Sequence, residues 1–98
     1  MKALWNNRVI AESDETIEIE GNQYFPLGSV NRDYLEDSAH TSECVWKGTA
    51  HYYTLSVDGE KNENAAWYYP EPKAGSIERV GEDFTNYVAF WRGVSVEP

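Results

Sequence analysis

The side chains best suited to chemistry lie near the middle of the chain. A thiol (Cys44), an indole (Trp46), an ammonium group (Lys47) and an imidazole (His51) fall within eight residues. A thiol attacks only as its thiolate, which a nearby cation or imidazole favours. An ammonium group set among aromatic and small residues is suited to holding an anionic group of a ligand. The segment therefore offers a candidate nucleophile at Cys44 and a candidate anion-binding cation at Lys47.

Each of these residues also has a purely structural interpretation. A free cysteine is most often a small buried hydrophobe, and a lysine commonly lays its stem on apolar surface and pairs with a surface carboxylate. If the segment is a regular strand, Cys44 and Trp46 share one face, and Lys47 and His51 share the other. A histidine for Cys44 would then have to come from His40, through the preceding loop.

A glycine within this segment predicts a close neighbour. Gly48 stands beside Trp46, and glycine weakens a strand unless a bulky group crosses it there. That group is either the indole of Trp67 or a ligand. Trp67 and Tyr69 in turn share one face of a second aromatic segment that two prolines end, so they form either a stacking wall for a ring or part of the core.

Neither a metal nor a cofactor is predicted. His40, Glu43, Cys44 and His51 are zinc-compatible, but their spacing matches no familiar finger or ribbon. No phosphate loop, serine nucleophile elbow or glycine-rich dinucleotide fingerprint occurs. The enzyme classes that carry such motifs are unsupported, and the sequence leaves open whether the protein is an enzyme.

Strands must position these groups. β-Branched and aromatic residues greatly outnumber Ala, Leu and Met. Tight turns are predicted at Asn6-Asn7, Gly21-Asn22 and Asp58-Gly59, and Thr16–Glu20 alternates as a half-exposed strand. Further strands are predicted over residues 45–57, 65–69, 77–80 and 86–91.

One short helix is predicted near residues 31–38. Asn31 can cap its first turn, Val30 can pack on Leu35, and the helix should end near Ser38. The expected fold class is mainly β, as a single small antiparallel β domain over residues 1–98 built from two packed sheets with this one helix.

Charge and composition restrict the partners. The chain has 98 residues, a net charge of −9 and scattered basic residues, so nucleic acid is an unsuitable partner. No apolar run is long enough for a membrane span, and the first residues do not resemble a signal peptide. With a single cysteine, these features indicate the cytoplasm. The oligomeric state stays open.

Several motifs together resemble a known family. They are Tyr24-Phe25-Pro26, Cys44-Val45-Trp46-Lys47-Gly48, Ala66-Trp67-Tyr68-Tyr69-Pro70 and Tyr87-Val88-Ala89-Phe90. The chain resembles the domain of unknown function 427 family over nearly its whole length, although Val45 stands where that family usually has proline. The resemblance implies a small antiparallel β domain with the folded-over two-sheet arrangement called a β-tent.

Some proteins similar to this family carry a nucleotidyltransferase label. That chemistry needs paired metal-binding aspartates and a basic cradle for a triphosphate. Asp33 and Asp58 each stand alone in the sequence. The resemblance therefore supplies a family without supplying a reaction.

Two functions remain from this sequence. The first is a pocket for a small molecule with an anionic group, used for binding or modest catalysis and lined by Cys44, Trp46, Lys47, Trp67 and Tyr69. The second is a non-catalytic protein-interaction module that uses an aromatic face or a sheet edge. Flat, exposed indoles favour the module, whereas a concave cleft favours the pocket. A third reading assigns all these residues to the fold alone.

Overall fold

Nine strands and three short helical turns make up the chain. The computed structural model describes all residues, Met1–Pro98. The strands are β1 (Lys2–Trp5), β2 (Arg8–Glu12), β3 (Ile17–Ile19), β4 (Asn22–Tyr24), β5 (Leu35–Cys44), β6 (Gly48–Val57), β7 (Glu60–Tyr68), β8 (Val88–Phe90) and β9 (Ser95–Glu97). The helical turns are two 3-10 helices, Leu27–Ser29 and Arg32–Tyr34, and one α-helix, α1 (Ser76–Val80). The predicted mainly β class is confirmed.

The strands form three antiparallel sheets rather than the two predicted. Their orders are β2-β1-β9, β3-β4 and β5-β6-β7-β8. In the first sheet, β1 lies between β2 and β9 and pairs Lys2 with Glu97 and Leu4 with Ser95. The four-stranded sheet carries the functional candidates, because Cys44, Trp67 and the turn that contains Lys47 belong to or adjoin its strands.

Tight turns join most neighbouring strands. Asn6 and Asn7 have φ of 51° and 62°, and Asp58 and Gly59 have φ of 51° and 82°. Two successive left-handed residues give the twist that a two-residue hairpin needs, so both predicted hairpins are confirmed. The third turn falls at Glu20-Gly21, one residue before the predicted position.

The predicted helix over residues 31–38 is wrong beyond its first turn. Asn31 does accept a hydrogen bond from the Asp33 backbone, but the helix is a single 3-10 turn. The chain then enters β5, where Leu35 pairs with Leu55. A first helical turn orders several residues for little hydrogen bonding, so pairing with a long neighbouring strand prevails.

The α-helix lies instead where a strand was predicted over residues 77–80. It runs from Ser76 to Val80 between two left-handed glycines, Gly75 and Gly81. The Gly81 N–H donates to the Ile77 carbonyl at 2.8 Å and ends the helix. None of the helices of this structure could span a lipid bilayer.

Each face of the four-stranded sheet packs on a cluster of buried side chains, although edge strand β5 has no buried residue. On one face lies the aliphatic cluster, which contains Ala3, Ile10, Ala11, Phe25, Val30, Leu55, Val57, Ala65, Ala66, Val88 and Phe90. On the other lies the aromatic cluster, which contains Ile17, Ile19, Tyr24, Ala50, Tyr52, Tyr69, Phe84 and Ala89. Strand β6 serves both clusters because successive side chains point to opposite faces.

Candidate functional site

The segment that contains the candidate residues is not one regular strand. Strand β5 ends at Cys44 and β6 begins at Gly48, which pairs with Cys44, so residues 45–47 form a turn. The predicted strand from residue 45 is therefore wrong at its start. The turn places Lys47 beside the rings of Trp46 and Tyr69, rather than on the face opposite Trp46.

The group that crosses Gly48 is backbone. Gly48 has φ of +112°, and a Cβ added there would lie 3.2 Å from the Glu71 carbonyl oxygen and 3.4 Å from the Lys73 nitrogen. The Lys73 N–H donates to the Lys47 carbonyl at 2.9 Å. Neither Trp67 nor a ligand explains this glycine. Glycine at this position allows the turn at residues 45–47 to pack against the loop at residues 71–73 and to form this hydrogen bond.

Lys47 is a buried cation in an aromatic enclosure. The residue is 6% exposed, and its Nζ lies 5.2 Å from the Trp46 ring centre, 5.4 Å from that of Tyr69 and 6.0 Å from that of Tyr24. Its ammonium group donates to the carboxylate of Glu20, whose side chain is 55% exposed. The structural interpretation of Lys47, a long side chain paired with a surface carboxylate, accounts for this geometry.

The ion pair is fully charged near neutral pH. Burial lowers the pKa of Lys47, but the hydrogen bond and charge of Glu20, together with Tyr24 and Cys44, outweigh it and raise the pKa overall. The hydrogen bond and charge of Lys47 lower the pKa of Glu20, with smaller help from Trp46 and Arg79. The partners shift in opposite directions, as expected for an opposite-charge pair.

Two neutral phenols lie behind this ion pair. Tyr24 is fully buried and accepts a hydrogen bond of 3.0 Å from Trp67 Nε1. The Tyr24 and Tyr69 rings stack with centres 6.5 Å apart. Burial raises the pKa of Tyr24 and raises that of Tyr69 far above its usual value. Both hydroxyls keep their protons and act as polar tips in an aromatic environment.

A concavity of about 170 Å³ opens beside Lys47. We call it the aromatic concavity, and its lining consists of Lys47, Tyr52, Trp67, Tyr69 and Trp91. The indoles of Trp67 and Trp91 meet edge to face at 5.8 Å, and Trp91 is 43% exposed. Trp91 Nε1 donates to the Asn64 carbonyl at 2.6 Å, which fixes the ring at the rim.

A second concavity, of about 320 Å³, contains another predicted residue. We call it the basic cleft, and it is lined by Val45, Trp46, Lys73, Ala74, Gly75, Ser76 and Arg79. The guanidinium carbon of Arg79 lies 4.2 Å from the Trp46 ring centre. The five predicted site residues are thus divided. Lys47, Trp67 and Tyr69 line the aromatic concavity, and Trp46 lines the basic cleft.

Cys44 lines neither concavity. It is half-buried against the aromatic cluster, and its side chain makes no hydrogen bond. His51 lies beside Tyr68, with ring centres 5.9 Å apart, and the His40 ring lies 4.6 Å from that of Tyr52. No histidine is therefore hydrogen-bonded to the thiol, and no group of three His, Cys, Asp or Glu residues could hold a metal ion.

Two lining residues, Tyr52 and Trp91, were absent from the sequence-based site. Tyr52 pairs with Trp67 across β6 and β7, and its hydroxyl lies 2.8 Å from Ser42 Oγ. Alternation along β6 places Tyr52 on the same face as Ala50, which is the signal that could have identified it. No local pattern in the sequence places Trp91 at the rim.

Comparison with known protein families agrees with the motifs. The family model described as a domain of unknown function (DUF427) matches residues 1–97. The chain belongs to the DUF427 family. No curated protein matches it. In this DUF427 chain, the turn at residues 45–47, between Cys44 and Gly48, brings Lys47 into the aromatic enclosure.

Proposed function

We propose that this DUF427 protein binds a small molecule in the aromatic concavity, with a ring between the aromatic walls and an anionic group directed at Lys47. The proposal rests on the residues that surround the Lys47 ammonium group. Lys47 is the one charged residue in the lining, and the other four lining residues are aromatic. Pockets of this composition, apolar with a few placed polar groups, are typical of small-molecule sites.

The size of the aromatic concavity sets the size of the ligand. A dry cavity of about 150 Å³ accepts a benzene-sized guest. The aromatic concavity measures about 170 Å³ and is open at the Trp91 rim. One ring fits inside, and any larger part of the ligand would extend past Trp91 into solvent.

The ligand's anionic group would compete with Glu20 for the ammonium group. Glu20 is largely exposed and lies on a two-residue turn, so its carboxylate is able to move into solvent once a ligand's anionic group takes its place on the buried ammonium group. An ammonium group also has three donors, which allows it to bind a second acceptor. We therefore expect Lys47 to bind a ligand carboxylate beside Glu20 or in its place.

A thermal-shift screen with aromatic carboxylates, benzoate first, tests this proposal. A ligand at 100 times its dissociation constant adds about 2.7 kcal/mol to the free energy of unfolding, which raises Tm by several degrees. Nitrogen–proton NMR spectra resolve the four indole N–H groups of the chain. Binding in the aromatic concavity should move the signals of Trp67 and Trp91 and leave that of Trp5 in place.

Two variants separate the cation from the ion pair. Lys47→Met keeps the length of the side chain and removes its charge, so benzoate affinity should fall at least about tenfold. Glu20→Gln breaks the same ion pair but leaves the ammonium group, so affinity should be unchanged or higher. Equal loss of binding in both variants would contradict the proposal, because loosened structure would then explain it.

The alternative is a protein-interaction module, which the exposure of Trp91 favours. An indole at a rim is a common anchor for a partner protein. Absence of a thermal shift and of indole signal changes with every aromatic carboxylate, in a protein that is folded, would favour this module. The half-buried positions of Trp46 and Trp67, each in the wall of a concavity, support the small-molecule pocket instead.

A further inference from the structure

The basic cleft contains two cationic side chains that no carboxylate of the chain neutralises through a salt bridge. The chain has 17 acidic residues and eight basic ones. Four of the basic residues, Lys2, Arg8, Lys47 and Lys61, form salt bridges with carboxylates. The other four, Arg32, Lys73, Arg79 and Arg92, form none. Lys73 and Arg79 are the two of these that line the basic cleft. We propose that this cleft binds a small organic phosphate, at a site separate from the aromatic concavity.

The two cations keep donors available for a ligand. Lys73 Nζ donates to the Val45 carbonyl at 3.0 Å, which uses one of its three donors. The Arg79 guanidinium stacks on the Trp46 ring and makes no side-chain hydrogen bond within the chain. Stacking occupies the face of a guanidinium and leaves the N–H groups at its edge, which match phosphate oxygens in pairs.

The remaining walls fit an apolar group attached to the phosphate. Val45 is 89% exposed, an unusual position for a branched aliphatic side chain, and Trp46 lies beside it. The volume of about 320 Å³ lies within the range of small-molecule sites. A phosphate monoester carries close to two negative charges, which two cations balance, whereas a carboxylate carries one. The phosphate is therefore the better match.

The walls of the basic cleft are held in place before any ligand binds. The Lys73 N–H donates to the Lys47 carbonyl, and the buried Ser76 hydroxyl donates to the Lys73 carbonyl at 2.6 Å. The left-handed backbone of Gly48 permits this close approach. Because the loop is already ordered, binding costs little conformational entropy. The nearby charge of Glu20, which Lys47 holds, works against an anion and keeps affinity modest.

Phenyl phosphate is the probe for this site. Phenyl phosphate is titrated into ¹⁵N-labelled protein, and nitrogen–proton NMR spectra are recorded. The buffer is free of phosphate, has a low ionic strength and is slightly above pH 7, where the monoester is mostly a dianion. The indole N–H signal of Trp46 and the amide signals of Lys73 and Arg79 should move together along one saturating curve. The Trp5 signal should stay in place. Any movement of the Trp67 and Trp91 signals reports binding in the aromatic concavity and should follow a separate curve.

Arg79→Gln is the informative variant, and Arg92→Gln is its matched control. Arg92 also stacks on an indole, with its guanidinium carbon 4.6 Å from the Trp91 ring centre, and it forms no salt bridge. Both variants change the net charge equally, but only Arg79 lines the cleft. Arg79→Gln should weaken binding at least about tenfold, and Arg92→Gln less than about twofold. Lys73→Gln provides the same test if Arg79→Gln fails to fold.

Each other result overturns the proposal. A Trp46 signal that does not move shows that the cleft is not a phosphate site, and equal weakening in both arginine variants shows non-specific attraction. Phenol binding as tightly as phenyl phosphate would remove the role of the cations, and inorganic phosphate binding as tightly would remove that of Val45 and Trp46. Movement of the Trp67 and Trp91 signals alone would overturn this site while leaving the aromatic concavity in place, so the two proposals fail separately.

Discussion

The two faces of the four-stranded sheet bury different kinds of side chain. The buried residues of the aliphatic cluster are Ala, Val, Leu, Ile and Phe, and the tyrosines that pack against it are only partly buried. The aromatic cluster includes three tyrosines and lies beside the Lys47 ammonium group. Both of the concavities that hold predicted site residues adjoin the aromatic face.

The difference between the two clusters indicates that one face mainly stabilises the fold, whereas the other also offers groups for binding. Buried aliphatic and phenylalanine side chains gain free energy by excluding water, and they offer no hydrogen-bonding group to a ligand. Phenols and indoles also exclude water, but they carry polar tips that need partners. The aromatic face therefore combines a core with a candidate site, and changes on the two faces should have separable effects.

The largest expected effect is loss of the fold in alkali. Burial raises the pKa of Tyr24 and Tyr69, and burial with the neighbouring Tyr68 raises that of Tyr53 to about 12. Stability from a group with a raised folded-state pKa is complete below its ordinary value, here 10.0, and is lost as pH rises through the folded-state value. The protein should unfold above about pH 10 to 12, with tyrosinate absorbance and circular dichroism changing together. Titration of all seven tyrosines before the circular dichroism changes would contradict this.

The next effect tests the aliphatic cluster. Leu55 is fully buried there, so Leu55→Ala removes buried methyl groups and leaves a cavity. The expected loss in the free energy of unfolding is about 2–5 kcal/mol, measured by urea denaturation. Val45→Ala truncates an exposed aliphatic side chain and should change stability by less than about 0.5 kcal/mol. A loss for Leu55→Ala as small as that for Val45→Ala would show that Leu55 is not a core residue.

A smaller effect should follow from Gly48→Ala on the aromatic side. The left-handed backbone and the 3.2 Å approach to the Glu71 carbonyl both oppose a Cβ. Strain of this kind costs about 1–3 kcal/mol. Gly28→Ala is the control, because nothing lies within 4 Å of a Cβ there and its φ is not left-handed. Equal melting temperatures for the two variants would mean that the loop at residues 71–73 is not fastened to the turn.

The smallest effect concerns the ion pair in acid. The pKa of Glu20 lies below its ordinary value of 4.5, so its stabilisation is present above that value and is lost as pH falls through the folded-state pKa. Because the Glu20 side chain is 55% exposed, solvent screens its charge, and the contribution should stay modest although the Lys47 side chain is only 8% exposed. The stability difference between the wild type and Glu20→Gln should vanish in acid. Glu18→Gln, on the same hairpin and without an ion pair, is the control and should show no such trend.

Local signals predicted the parts of the fold that local chemistry decides. Asn6-Asn7 and Asp58-Gly59 form hairpins because these residue types tolerate a left-handed backbone. Asn31 caps a turn for an equally local reason, but the length of the helix was decided by Leu35, which pairs with a strand twenty residues away. Element type at such a position depends on tertiary contacts, which a single segment does not record.

The candidate site shows the same limit. Trp67, Tyr69 and Lys47 were predicted from aromatic spacing and an isolated cation, and they do line one concavity. The division of Trp46 from Lys47 depends on the turn that follows Cys44, and that turn depends on a loop more than twenty residues further along the chain. Trp91 reaches the rim through its bond to the Asn64 carbonyl, another contact distant in sequence.

The pairing of β1 with β9 has a consequence for the order of folding. This pair closes the longest loop in the molecule, since it joins residues 2–4 to residues 95–97, whereas the β1–β2 hairpin closes a short one. The entropic cost of closure grows with loop length, and β9 is a short strand with two exposed residues. We therefore expect β9 to dock late and to detach through a local opening that removes only Val94 and Val96 from the edge of the aliphatic cluster. Each such opening leaves an edge of β1 unpaired, and unpaired edges are where sheets of separate molecules join.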